Sequence, residues 1–460
     1  MTESRLAVEI LFNHEKIWTT TKSDLNMSIC QKGLDAKVKS QLISIKVPSK
    51  DSYIQLANAI DWIFLAKIAL PDIENTAKGF YWLGRKINLR IHLSILILQP
   101  LLKETDRGII ELIKHCPRLQ AFCGYGIISK WKLPHHTKIE EFRNRLLPET
   151  YKNIGHHIVK LAQEMGFANP SWMDVDSTVQ EANVAYPADA NLMRKLAQKC
   201  KKARNYFFLS KNTAIEKKRE IFASYHHLVK EQLKDFINFT ESMTQKQIKA
   251  LPWNIRADIK QIREKSWRYL LDVAHFIRTN SIKAGKILSW HCQEVACISK
   301  KKAGKEIEFG RQVQLGRIGG NFIISFSSTE VRMEDKKSVD LVIEEHAEIF
   351  GPEVLKSIGA DKGYHSGKNI AYAESKGINA DGMQRPHNVK KFVKEDVALP
   401  LRDRRAGIEP LIGHAKQFGL GKSRMKSDRA TVASVHRSVM GFNLHQLKRK
   451  IGRKEEKLVA

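Results

Sequence analysis

What the chain lacks narrows it first. It has six cysteines in 460 residues (Cys30, Cys116, Cys123, Cys200, Cys292 and Cys297) and no Cys-x-x-Cys pair. A disulfide framework does not suit a chain of this size, so reduced thiols are expected. His291, Cys292 and Cys297 fit the spacing of no standard zinc module, and no zinc site is expected there. Long apolar runs are missing too. The most apolar, Ile91 to Leu102, is interrupted by His92, Gln99 and Pro100 and is too short to span a bilayer. No signal peptide or lipidation motif is visible, so no membrane partner is expected. Acidic residues are scarce: 49 Asp and Glu stand against 78 Lys and Arg, a net charge of +29. The excess is spread along the whole chain. It points to a long polyanion, because phosphate contacts by Lys and Arg supply most of the affinity for nucleic acid. What is present suffices for a large core: 42% of residues are apolar, and the length allows two or three domains.

Residues 1 to about 55 hold polar clusters and a basic stretch (Lys32, Lys37, Lys39, Lys46, Lys50) that suits strands or helices. Apolar spacing from Tyr53 to Leu70 predicts one helix stopped by Pro71. Residues 85 to 120 read as two helices, the second capped by Thr105-Asp106 and ended by Pro117. Thr137 and Glu140 form a capping-box signature. The helix after it sets Arg143 and Arg145 beside an Ile139/Phe142/Leu146 stripe, and another helix runs from about Tyr151 to Met165. Pro170 to Val179 reads as a strand with Trp172, Asp174, Asp176 and Thr178 on one face. From Pro187 to Trp290 the pattern is helical, with runs Lys195 to Arg204, Glu216 to Phe222 and Asp258 to Asp272. Trp253, Trp267 and Trp290 are expected to anchor its core. Sheet character returns at Lys305 to Leu315, and Gly319-Gly320 turns the chain into a partner strand, Asn321 to Phe326. Then come a helix (Lys336 to Phe350), a short strand (Val354 to Ala360), a helix (about Ser366 to Lys376) and a short strand near Gly377 to Met383. Pro410 is tolerable only in a first helical turn, so a helix begins near Gly407. A helix carrying Gly441-Phe-Asn443-Leu and a basic tail close the chain.

Asp176 and Asp361 fall at the ends of two strands, and Gly363 lets the chain turn sharply after the second. Glu409 arrives from a later helix, with Lys416 seven residues on along the same face. Three converging carboxylates repel unless cations sit between them. Oxygen ligands with open positions suit Mg²⁺. Two such ions about 3.5–4 Å apart clamp the attacking and leaving oxygens of an in-line phosphoryl displacement. Arg405, Lys416 and Arg404 are candidates to position phosphate.

From about Arg85 to Leu447 the chain resembles DDE transposases of bacterial insertion sequences. Asp176-Ser-Thr-Val resembles their first-acid motif, followed by a familiar Pro187-Ala-Asp189. Asp361-Lys-Gly363-Tyr364 resembles the second, Asp-x-Gly-Tyr. Arg405, Glu409 and Lys416 fill the last three positions of Tyr-(2)-Arg-(3)-Glu-(6)-Lys, with Arg402 where Tyr is expected. Glu308-Phe309-Gly310 and Gly441-Phe-Asn443-Leu stand in their places, and residues 85 to 146 resemble the family's helical N-terminal domain. The resemblance implies an α/β fold: an RNase H-like mixed sheet flanked by helices, with an all-α N-terminal domain and a helical insertion in the catalytic core. The divisions that follow are a leader over 1–84, a helical DNA-binding domain over 85–165, the first part of the core over 166–186, the insertion over 187–300, the rest of the core over 301–450 and a basic tail over 451–460. It also implies a catalytic and metal-binding triad of Asp176, Asp361 and Glu409 served by Mg²⁺, with Mn²⁺ as substitute. Arg405, Lys416, Arg404, Arg143 and Arg145 are then the DNA and phosphate contacts. The implied partners are double-stranded DNA, both terminal inverted repeats and target, with at least a homodimer on DNA, and the implied location is the cytoplasm with the nucleoid. Hydrolysis frees a 3′-hydroxyl at each element end, and that hydroxyl then attacks target DNA. Asp174 lies one pleat before Asp176 and is the rival first acid; the motif favours Asp176.

Two alternatives use the same residues differently. An RNase H-like nuclease or resolvase keeps the triad without strand transfer. A catalytically silent, transposase-derived DNA-binding protein needs no intact triad, whereas all three acids stand here. A basic RNA-binding protein is disfavoured, since no RRM, KH or zinc-knuckle pattern occurs.

Overall fold

The computed structural model describes residues 25–31, 41–76, 88–125, 131–184, 215–251, 253–281, parts of 283–302, 305–326, 331–383, 404–425 and 427–459. It divides into two compact units, one of residues 1–181, 298–425 and 429–460, the other of residues 182–297 and 426–428.

The first unit opens with β1 (Leu25–Gln31) and β2 (Gln41–Val47), antiparallel with Leu25 opposite Val47. Then come α1 (Ser52–Ala59) and α2 (Trp62–Thr76). The single helix expected over Tyr53 to Leu70 is therefore broken. Ile60 is extended, at φ −71° and ψ 127°. The Asp61 carboxylate restarts the helix by accepting from the Phe64 N–H at 2.9 Å. Pro71 does not stop α2 but lies inside it. Burial of Trp62, Leu65, Ala66 and Ala69 carries the helix through the proline. Next, α3 (Leu89–Leu102) is buried at every position from Leu89 to Leu101. A helix that is apolar all round belongs in a core. Among the described residues no single helix is long and apolar enough to cross a membrane. Around α3 stand α4 (Asp106–His115), α5 (Pro117–Phe122), α6 (His136–Arg145) and α7 (Pro148–Glu164). Thr105 caps α4 as expected, accepting from the Gly108 N–H at 3.0 Å. The Thr137 capping box does not form: α6 starts two residues earlier, with His135 at the N-cap, and the Thr137 hydroxyl faces His135 Nδ1 at 2.9 Å instead.

The sheet begins with β3 (Asn169–Glu181). Its other strands are β4 (Ala296–Lys302), β5 (Lys305–Gly319), β6 (Phe322–Ser325), β7 (Ser357–Ala360) and β8 (Asn379–Gly382), in the order β4-β5-β3-β7-β8 with β6 also on β5. Central β3 runs antiparallel to β5 and parallel to β7, so the sheet is mixed. β4 falls where only helix was expected. Its run of lysines suits an edge strand and carries almost no apolar alternation to reveal it. The hairpin turns about one residue later than expected: Ile318 pairs with Phe322 across Gly319, Gly320 and Asn321, and Gly320 (φ 83°) and Asn321 (φ 64°) take the left-handed conformation.

Helices α11 (Val339–Phe350), α12 (Gly367–Ser375), α13 (Ile408–Ala415) and α14 (Asp428–Val459) complete this unit. Met173, Val175, Ile318, Phe322 and Ile358 share one core with α1–α7 and α11. Val313, Leu315 and Ile323 pack instead with Ile408, Leu411 and Ile412 of α13 and Val435, Val439 and Phe442 of α14. The sheet is thus covered on both faces. The Gly441-Phe-Asn443-Leu segment explains itself here. Fully buried Asn443 accepts from the Ile323 N–H at 2.9 Å and donates to its carbonyl at 2.6 Å, closing the open edge of β6. A Cβ on Gly441 would stand 2.8 Å from the Pro100 carbonyl oxygen, so glycine lets α14 lie directly on α3.

The second unit contains α8 (Ile215–Glu241), α9 (Gln245–Ala250) and α10 (Trp253–Thr279). Val229 and Leu233 are buried, as are Ile262, Tyr269 and Leu270. His226 contacts the Leu270 carbonyl, whereas Glu241 pairs with Arg263, so α8 and α10 run antiparallel. Trp267 is not a core anchor: at 39% exposure it faces water. The run Lys195 to Arg204, His291 and Trp290 lie outside the described residues.

Candidate active site

The register of two parallel strands builds the site. Val175 of β3 pairs with Ala360 of β7. The next step along both strands brings Asp176 beside Asp361. Half-buried Asp176 accepts from the Ser177 N–H at 2.7 Å. Burial does most to push its carboxyl up. The Ser177 N–H opposes that push, the charge of Asp361 adds to it, Arg405 opposes and Asp335 adds, leaving Asp176 at about 6. Asp361 is exposed and caps a 3₁₀ turn, Lys362–Tyr364, accepting from the Lys362 N–H at 2.7 Å. The Arg405 guanidinium stands 3.5 Å from it.

Asp174 is the other acid on this face, and its surroundings are different. It is fully buried and ion-paired with Arg404 at 2.9 Å and Arg317 at 3.5 Å. Burial pushes its carboxyl up, and both guanidiniums oppose that push, Arg404 first. The two arginines also lie over the Trp172 ring, at 4.5 and 5.4 Å from its centre. Arg317 donates to the Arg404 carbonyl at 2.7 Å. A Cβ on Gly407 would meet the Arg317 guanidinium at 2.0 Å, so this glycine admits the arginine beside the turn into α13. Arg404 is thereby committed to Asp174 and to the Ser357 hydroxyl, 3.1 Å away.

The structure does not bring every candidate to this point. Glu409 lies exposed in the first turn of α13. Among the described residues, no three His, Cys, Asp or Glu side chains converge to hold a metal ion. The donor chemistry of Asp176 and Asp361 fits one divalent cation: two oxygen ligands, one of them desolvated, with the charge of Asp361 raising the proton affinity of Asp176. Glu409 is outside that pair. Exposed Lys416 opens a π turn, Lys416–Leu420, after α13. Arg143 points inward, its guanidinium forked on Asp106 and 3.5 Å from the Gln99 side-chain oxygen Oε1. Half-buried Arg145 lends its carbonyl to Arg429 at 2.6 Å. His414 is exposed, and Arg402 lies outside the described residues.

Sequence reasoning missed a polar relay on the reverse face. Gln312 donates to the Ser177 hydroxyl at 3.0 Å and to Asp335 at 2.9 Å. Gln314 reaches the same Asp335 oxygen at 3.2 Å and accepts from buried Tyr364 at 2.5 Å. The Tyr of Asp-Lys-Gly-Tyr thus anchors the turn that carries Asp361. One signal stood in the sequence: two glutamines alternate on β5 where a covered face should be apolar.

The fold and site define a mixed α/β protein with paired carboxylates at the ends of adjacent parallel strands. Comparison with known proteins finds a likeness for part of the chain. Residues 42–145, from β2 to the end of α6, match the transposase domain family DUF772. The chain is similar to an uncharacterized protein, ORF8 in the nfe locus of Rhizobium meliloti, at 25% identity over 154 residues, covering 32% of this chain and 70% of that protein. No solved structure matches.

Proposed function

We propose that the protein is a DNA transposase that binds the inverted repeats of an insertion sequence and catalyses phosphodiester hydrolysis and strand transfer. The observation that carries this reading is the pairing of Asp176 with Asp361 at neighbouring strand ends. The transposase-domain match over residues 42–145 supports it. Asp176 and Asp361 would hold Mg²⁺, or Mn²⁺ in its place. When bound, the ion would stabilise charge developing on phosphate oxygens and lower the pKa of the attacking hydroxyl or water. The chain's own residues set the stage. Ser177 orients one Asp176 oxygen through its N–H. Arg405 neutralises part of the charge of Asp361 and leaves donors for a phosphate. Arg404 and Arg317 hold Asp174, and with it the strand that carries Asp176.

The test is incubation of the protein with the inverted repeats that flank its own gene, with and without Mg²⁺. Cleavage at the repeat ends is expected, and Asp176→Asn or Asp361→Asn should each abolish it while binding persists. Full cleavage by either variant removes that residue from the site. Glu409→Gln decides a second reading, favoured by the exposed position of Glu409 outside the acid pair. On that reading the protein is a silent DNA-binding derivative, and neither wild type nor variant cuts. If Glu409 joins the site on DNA, this variant also loses cleavage.

A further inference from the structure

A pocket of about 430 Å³ lies away from the acid pair, among the end of α3, the π turn after α13 and the middle of α14. Lys103, Lys416, Lys422, Arg424 and Arg437 line it, with Glu104 as the one acid. Lys103, Lys416 and Lys422 are exposed. The Lys103 ammonium stands 4.3 Å over the Phe418 ring, which turns it toward the cavity. Arg437 forms the inner wall. It donates to the neutral side-chain oxygen Oε1 of Gln99 at 2.9 Å, while its Nε is buried without a hydrogen-bond partner. Burial lowers the proton affinity of this guanidinium, the mark of a cation held without adequate solvation. The charge of Asp106 offsets part of this and that of Arg143 adds to it, which leaves a half-buried guanidinium with a spare Nε among further cations, a setting that favours an anion.

The backbone fixes this pocket to the sheet. The Glu181 N–H donates to the Gly421 carbonyl at 3.0 Å and the Ser423 N–H to the Glu181 carbonyl at 2.7 Å, so the loop with Lys422 is pinned to the end of β3. The π turn, with Gly419 at φ 103°, sets Lys416 and Phe418 on the opposite wall. Asp176 lies five residues back along the same strand, about 17 Å at 3.3 Å per residue, which is about five nucleotide steps of 3.4 Å.

We infer that this pocket binds a phosphate group, and that the group is a backbone phosphate of the DNA whose scissile bond reaches Asp176. The second half rests on the transposase reading; the first does not. A small polyphosphate shares the chemistry, so the test has two arms. Lys103→Ala/Lys422→Ala removes two exposed cations that form no ion pair among the described residues. Lys160→Ala, an exposed lysine of α7, is the control. In the first arm, affinity for a short fluorescent DNA duplex is measured against salt concentration. The double variant should bind more weakly and flatten the slope of log K against log salt by about two, with the control unchanged. In the second arm, pyrophosphate should raise the unfolding temperature of the wild type and the control but not of the double variant. Protection by pyrophosphate with an unchanged DNA slope assigns the pocket to a small polyphosphate and overturns the DNA assignment. If the wild type binds no duplex while pyrophosphate protects through these lysines, the transposase reading fails and the phosphate site stands. Unchanged behaviour of the double variant in both arms overturns the pocket itself.

Discussion

Asp176 stands at about 6, against 3.8 for a free aspartate. Between those values the folded chain holds a proton that the unfolded chain releases. The carboxylate therefore removes stability as pH rises from about 4 to about 6, and the full penalty persists above. Asp176→Asn should stabilise the protein near pH 8 by up to about 3 kcal/mol, and the gain should vanish near pH 4. Urea unfolding at both pH values checks this, and no gain at the higher pH would contradict the burial of an ionised carboxylate. Mg²⁺ should raise the wild-type melting temperature more than that of Asp176→Asn. The carboxyl of Asp174 is also pushed up, so its own pH dependence runs the same way, but its removal acts on two partners. Asp174→Asn leaves Arg404 and Arg317 without their counter-charge and should cost about 3–5 kcal/mol, while DNA cleavage at low temperature persists. Period-two alternation and spacing were enough to name both aspartates and Asp361. They could not separate the roles of the first two, because Arg317 and Arg404 reach Asp174 only through tertiary contact. Asp335 escaped notice for the same reason, and Arg143 read as a surface cation because Asp106 lies far from it in sequence.

At the scale of elements, one side-chain amide does the work of a strand. Asn443 closes the β6 edge with a donor and an acceptor, so Asn443→Leu leaves two buried backbone groups unmet. A loss of about 2–4 kcal/mol is expected in denaturant unfolding, and a loss below about 1 kcal/mol would mean that water replaces the amide. Gly441→Ala should cost about 1–3 kcal/mol, because the obstacle is the Pro100 backbone and no flexible side chain can yield. The regular elements were legible from periodicity: β3, the β5–β6 hairpin, α11, β7 and α12 lie close to where the apolar pattern puts them. Their ends were less so. Whether α1 and α2 are one helix is decided by which side chain meets a free N–H, here the Asp61 carboxylate on Phe64. Several residue types satisfy that need equally.

At the scale of the molecule, a charge of +29 governs encounter with any polyanion. Affinity for a non-specific duplex should fall about 10³–10⁵-fold between 50 and 200 mM salt if six to ten phosphates are contacted. A nearly flat salt dependence in a filter-binding titration would exclude that mode. Composition made this legible, because charge is additive; the assignment of elements to compact units was less so, because packing is not. The strand that carries Asp176 adds a constraint of another kind, one of timing. β3 leaves the ribosome long before β5 and β7, its partners on either side, and Asp361 and Arg405 come later still. The central strand must therefore wait with both edges open while the whole second unit is made. Closing it demands contacts between residues far apart in sequence, which are slow to form and leave a sticky intermediate. The pairing of Asp176 with Asp361 and Arg405 can form only after residue 405 has been made, so a chain cut before it carries the strand but not this full set of side chains.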